Sequence, residues 1–137
     1  MPDLVPVFAE LRRRLSRYAV GLRESSAMTD ANASGSRGAA AGDDGTYVLL
    51  GAPTERYPGG QLFAMVRTGK RYVSYHLMGV YLAPDLLEGM SPELARRMQG
   101  RSCFNFTTAN EALFDELEAL TARCKEEYAT RGLLLPH

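Results

Sequence analysis

The chain carries no excess charge of either sign: 16 Lys plus Arg stand against 16 Asp plus Glu. No global field therefore draws it to nucleic acid or to an anionic membrane, and any such binding has to be local. Cysteine is equally scarce. Cys103 and Cys124 are the two present and have no CxxC spacing, which excludes a disulfide framework and a cysteine-based zinc motif. Reduced thiols in a cytoplasm are the simpler expectation. No apolar run approaches the roughly 20 residues needed to cross a bilayer, and the opening MPDLVPVFAELRRR lacks the basic-then-apolar order of an export signal. Phosphate-cradling patterns of the GxxxxGK[ST] and GxGxxG kinds are missing too. With no complete catalytic, metal or phosphate motif, the sequence implies no cofactor, no nucleic-acid partner and no membrane partner. A length of 137 residues suits one domain with a single core.

Helical spacing comes first along the chain. Leu4, Phe8, Leu11, Leu15, Tyr18 and Leu22 recur at helical intervals, with Arg12, Arg13, Arg14 and Arg17 largely between them. This pattern predicts an amphipathic helix over 6–20 whose arginines form a solvated face. From 21 to 45 the composition turns to Ser, Ala, Gly, Asn and Asp, too poor in apolar area to offset its ordering entropy, so a flexible surface loop is expected.

Three strand-like runs follow at 46–52, 61–68 and 71–82, the first two parted by the breaker-rich APTERYPGG. Thr68-Gly69-Lys70-Arg71 suits a two-residue hairpin with Gly where positive φ is needed. That register sets Val66 opposite Val73, Ala64 opposite Tyr75 and Leu62 opposite Leu77. One apolar face then meets the helices. The reverse face carries Phe63, Met65, Tyr72, Ser74, His76, Met78 and Val80, an amphipathic surface too apolar to stand fully wet.

The remainder reads as short helices and one long one. A helical turn is expected over 84–88, and Ser91 before Pro92 is a start signal for a helix that Gly100 stops. RSCFNFT is a further strand. Thr108 with Glu111 makes a capping-box pattern for the last helix, whose buried stripe is Leu113, Leu117, Leu120, Cys124 and Tyr128. Gly132 ends it and leaves a tail.

Several residue types invite chemistry. His76, the one histidine away from the terminus, is the natural proton-transfer or ligand-contact candidate, although a hydrogen-bonded strand histidine is the plainer alternative. Cys103 and Asn105, taken with His76, match the residue types of thiol hydrolases, but an SCF strand is more often core. Glu111, Asp115 and Glu118 form an acidic stripe that could hold an oxygen-seeking cation or simply face water at a helix start. Tyr47, Tyr57, Tyr72, Tyr75 and Tyr81 could stack on bases if a basic patch lay beside them.

The stretch YVSYHLMGVYLAPDLLEGMSPELARRMQGRSCFNF, followed by a helix closing in CKEEYATRGL, resembles the YdhG-like family of small, largely uncharacterised bacterial domains. The resemblance is specific from 70 to 132, about half the chain. It implies a compact two-layer α+β domain. Some YdhG-like members are linked with frataxin-like iron delivery through an acidic helical surface, a role that would fall here on Glu111, Asp115 and Glu118. Family members often carry a larger residue at the position of Gly79.

Together these observations predict a single α+β domain, a two-layer sandwich of four to five antiparallel strands with helices on one face. The leading functional expectation is a non-enzymatic binding module using the sheet face around His76. Its candidate contacts are Phe63, Met65, Tyr72, Ser74, His76, Met78, Cys103 and Asn105, for a small ligand, a protein partner or a second copy in a homodimer. Iron delivery through the acidic helix and a thiol enzyme using Cys103 and His76 are the alternatives.

Overall fold

The structure, a computed structural model, describes residues 3–25, 45–100 and 102–135. Its sheet has six strands, all antiparallel. They are β1 (Arg23–Ser25), β2 (Thr46–Leu50), β3 (Leu62–Thr68), β4 (Val73–Leu77), β5 (Met98–Gln99) and β6 (Cys103–Phe106), arranged in the order β1-β2-β3-β4-β6-β5. Helices α1 (Val5–Ser16), α2 (Met78–Leu82), α3 (Pro92–Ala95) and α4 (Glu111–Thr130), with a 3-10 turn at Pro84–Leu87, complete the α+β sandwich. Their apolar residues join one core with the inner face of the sheet. The strand count exceeds the expected four to five because two short edge strands carry little sequence signal: Arg23–Ser25 is polar, and Met98–Gln99 spans two residues.

Those edge strands correct two expectations. Part of the supposed loop at 21–45 is strand, because Arg23, Glu24 and Ser25 pair with Leu50, Leu49 and Val48; residues 26–44 of that loop lie outside the described residues. The helix opened by Ser91 ends at Ala95 rather than at Gly100, which instead turns β5 into β6 with φ of 77°. Ser91 does cap as expected, its side chain accepting from the Leu94 amide.

The central hairpin is offset by two residues from its predicted register. Val66 faces Tyr75, Ala64 faces Leu77 and Thr68 faces Val73, and the Gly69 amide closes a longer turn on the Tyr72 carbonyl. A shift of two preserves side-chain parity, so Ala64, Val66, Val73, Tyr75 and Leu77 remain on the helix side and are buried. A bulge breaks that parity farther along. Leu49 faces Ala64 while Leu50 faces Leu62, leaving Phe63 as the extra residue. Phe63 therefore turns inward, edge-on to Tyr128 at 5.0 Å, and Leu62 turns outward to Val48 and Leu50. The two exchange the faces assigned from alternation.

The third predicted strand also ends early. After Leu77 the chain winds into α2, which carries Val80 into the core instead of onto the outer face. Gly79 makes this possible: a Cβ there would lie 2.6 Å from the Cβ of Cys124 on α4. A residue larger than glycine has no room at this position against Cys124.

The long helices pack through both apolar and ionic contacts. On α4, Leu113, Leu117, Leu120, Cys124 and Tyr128 are buried as predicted, joined by Phe114 and Thr121. Asn110 caps the helix by accepting from the Leu113 amide, so Thr108 is not the cap. On α1 the helix ends at Ser16, short of the predicted 20, and Arg14 is buried rather than solvated. Arg14 Nε donates to Glu10, Nη1 to Asp115 at 2.6 Å and Nη2 to Glu111 at 3.1 Å. Arg17 and the Tyr18 hydroxyl donate to Glu118. The C-terminal tail is tied in as well, with the Ala52 amide bonded to the Leu133 carbonyl and the Leu135 amide to that of Gly21.

Candidate functional site

Strand pairing lays one continuous row across the outer face: Ser25, Val48, Met65, His76, Cys103 and Gln99 are successive partners from β1 to β5. The row changes character along its length. At one end Met65 and Met78 pack on Val48, Leu50 and Leu62 in a small apolar cluster. At the other, Ser74 Oγ donates to Asn105 Oδ1 at 2.8 Å, Asn105 Nδ2 donates to Gln99 Oε1 at 2.6 Å, and the Tyr72 hydroxyl reaches the same oxygen at 3.5 Å. His76 and Cys103 stand between the two.

The structure thus divides the predicted contacts. His76 and Met78 line a cleft of about 480 Å³. Tyr72 and Asn105 line a separate recess of about 340 Å³. Ser74 and Cys103 occupy the sheet between them, Met65 belongs to the apolar cluster, and Phe63 is sealed in the core. Phe63 is accordingly removed as a contact residue, the bulge having turned it away.

The cleft is built where three segments meet. One is the 51–61 loop, whose Thr54 Oγ1 accepts from the Tyr57 amide and whose Arg56 guanidinium lies 5.6 Å from the Tyr57 ring centre. The second is the junction of β4 with α2, which supplies His76, Met78 and the exposed Tyr81. The third is Ser102, whose hydroxyl is 3.4 Å from both ring nitrogens of His76 and whose carbonyl accepts from the Leu77 amide. Gln61 closes one side. Sequence reasoning missed the loop and Ser102: APTERYPGG registered only as a breaker run, and nothing local says that a serine before a strand will sit beside a distant histidine.

Burial governs the electrostatics. It lowers the His76 pKa below the ordinary 6.5, so the imidazole is neutral at pH 7. It raises that of the Cys103 thiol, an effect that the nearby Ser74 hydroxyl partly offsets. These shifts favour neutral thiol beside neutral imidazole, although the two residues are direct cross-strand partners. A thiol nucleophile needs the opposite, a thiolate stabilised by its neighbour. Among the described residues the cleft lining contains Arg56 and His76 and no carboxylate. Its chemistry is that of hydrogen-bond donors beside tyrosine and methionine surface.

The acidic stripe has a different fate. Glu111, Asp115 and Glu118 share one face of α4, as read from their spacing, but their counter-charge is supplied by Arg14 and Arg17 of α1. A cation would have to displace these guanidinium groups. Among the described residues no group of His, Cys, Asp and Glu is arranged to hold a metal ion, and no helix is long and apolar enough to cross a membrane. Comparisons with protein-family models, with curated proteins and with solved structures found no match to this chain.

Proposed function

We propose that this chain is a small-molecule-binding domain of the YdhG-like kind, with its binding site in the His76 cleft. The observation that carries the proposal is a cavity of about 480 Å³ formed by three separate segments and lined, among the described residues, by one arginine and neutral groups without an acid. That volume lies in the range of small-ligand sites, and an apolar wall with a few convergent polar groups is their usual composition. Met78, Tyr81 and Leu82 would cover the apolar part of a ligand, while Ser102, Gln61 and Arg56 would orient its polar end. His76, uncharged near neutrality, would act as a hydrogen-bonding group of either polarity. Binding is favoured over thiol chemistry because burial holds both Cys103 and His76 in their uncharged forms.

The test is a titration with a panel of small ring-bearing carboxylates and the matching amides, followed through backbone amide resonances. Shifts centred on Tyr57, His76 and Ser102, and lost in Ser102→Trp, are the expected result. Shifts that persist in that variant, or an absence of shifts at the cleft, would overturn the assignment.

A further inference from the structure

The recess around Tyr72 differs from the cleft in composition and position, and it does not depend on the function proposed for the cleft. It opens at the polar end of the outer face, where Tyr72 lines a space of about 340 Å³ together with Arg96, Arg97, Gln99, Asn105 and Thr107. Neutral overall charge made any attraction for polyanions conditional on a local patch. Here such a patch exists.

Its cations gather by topology. Arg67 pairs with Ser74, which pairs with Asn105, so Arg67 lies on the same outer face and in the next row of the sheet. Lys70 and Arg71 occupy the turn before Tyr72, at the end where Val73 pairs with Phe106, just before Thr107. All of these basic residues are exposed. Among the described residues none forms an ion pair, in contrast to Arg13, Arg14, Arg17 and Arg131, which all do. Glu93, one turn before Arg96 on α3, is exposed and also makes no such pair.

The polar groups are biased as well. The Ser74 hydroxyl donates to Asn105 Oδ1, and Gln99 Oε1 accepts from Asn105 and from Tyr72. Amide oxygens are thereby used inside the network, leaving the N–H groups of Gln99 and of the arginines available to an incoming ligand. A half-open tyrosine ring completes the arrangement, Tyr72 being 36% exposed.

We infer that this surface binds single-stranded nucleic acid, with Arg96 and Arg97 on phosphates and a base stacked on Tyr72. Unpaired guanidinium groups gain most from a chain of phosphates, and an aromatic platform beside them gives base stacking without sequence readout. The extent of the patch, from Arg67 through the hairpin turn to Arg97, suits a strand of several phosphates better than one isolated anion. An acidic peptide would satisfy the arginines but would leave the ring unused.

Fluorescence anisotropy with a labelled short oligothymidylate, using the full chain, tests this. Binding should weaken by roughly tenfold for about a fourfold rise in salt, as expected when a few phosphates are neutralised. Arg96→Gln with Arg97→Gln should weaken it by roughly tenfold or more and flatten that salt dependence, and Tyr72→Leu should cost about fivefold or more through lost stacking. Arg123→Gln, an equal charge change on the exposed side of α4, should leave it unchanged. The inference is overturned by absence of binding at low salt, by parental affinity in Tyr72→Leu, or by equal losses in Arg123→Gln. Equal competition by polyglutamate would also overturn it and reassign the surface to acidic proteins. Circular dichroism and urea melts confirm that each variant is folded before its affinity is read.

Discussion

The two faces of the sheet obey different rules although the same strands build both. On the inner face, Val66, Val73, Tyr75, Leu77, Phe104 and Phe106 are all but inaccessible to solvent, and α1 and α4 close over them. The Tyr75 hydroxyl is satisfied there by Thr121 at 2.6 Å. On the outer face the gradient runs from methionine and leucine, through half-buried His76 and Cys103, to an amide network ringed by arginines. A sealed surface needs only apolar volume, so its identity is fixed by packing. A surface that remains accessible keeps polar groups whose usefulness depends on their neighbours, and this is where candidate sites arise.

That contrast can be broken most directly by truncation. Leu77→Ala on the inner face should cost about 2–5 kcal/mol in urea unfolding, because it leaves a cavity in a closed core. Ser74→Ala, three positions earlier on the same strand and on the other face, should stay within about 1 kcal/mol. Similar costs for both would show that the outer face is core as well.

The α1–α4 contact supplies the next largest effect. Replacing Arg14 with Met should cost about 1–3 kcal/mol: its guanidinium is buried, but Glu111 and Asp115 are mostly exposed and lose less than a buried partner would. Burial opposes the charge of Arg14, yet the hydrogen bonds it donates to Asp115 and Glu10 outweigh that and raise its pKa. The acid side has a defined window. Hydrogen bonds from Arg13 and then Arg14 hold Glu10 at about 2 against an ordinary 4.5, so its contribution is complete above about pH 4.5 and is lost as pH falls through about 2. Urea midpoints of the parent should fall across that window more steeply than those of Glu10→Gln.

Gly79→Ala sharpens the same comparison at the seam between sheet and helix. The added methyl meets Cys124 and should destabilise by about 1–3 kcal/mol, measured by the same melts. Val80→Ala beside it removes volume instead of adding it and should cost a similar amount.

The smallest effects are spectroscopic. The His76 imidazole should titrate below 6.5 by NMR, since its burial disfavours the charged form. With the folded value below the unfolded one, His76 favours the fold above pH 6.5 and that advantage declines as pH falls toward its depressed value. A midpoint at or above 6.5 would mean that the outer face is wetter than its geometry indicates. Thiol labelling at neutral pH should be slow at Cys103 and slower at Cys124, whose thiol is fully covered and pushed up to about 12.

Much of the architecture was legible because it follows from periodicity. The α4 stripe, the apolar set on β3 and β4, the Ser91 start and the Gly132 stop are local patterns with local causes. The errors share a cause as well. Phe63 and Leu62 exchanged faces because one bulged residue resets alternation, and residues 78–82 became helix because Gly79 could approach Cys124, forty-five residues away in sequence. Neither event leaves a mark in a short window of residues.

The candidate sites divide along the same line. His76 was recognisable from its rarity, and Tyr72 from its place on an outward-facing strand. Ser102, Gln61 and the 51–61 loop joined His76 only when the sheet was assembled, and Arg96 and Arg97 reached Tyr72 only because β5 folds back on β6.

By itself the sequence determined which segments are amphipathic and which of their sides must be hidden, since burial of apolar surface is a local property summed along the chain. Tertiary structure alone decided which polar residues meet, because contacts between distant strands depend on register, bulges and close helix approach, and one residue of offset sends a side chain to the opposite face.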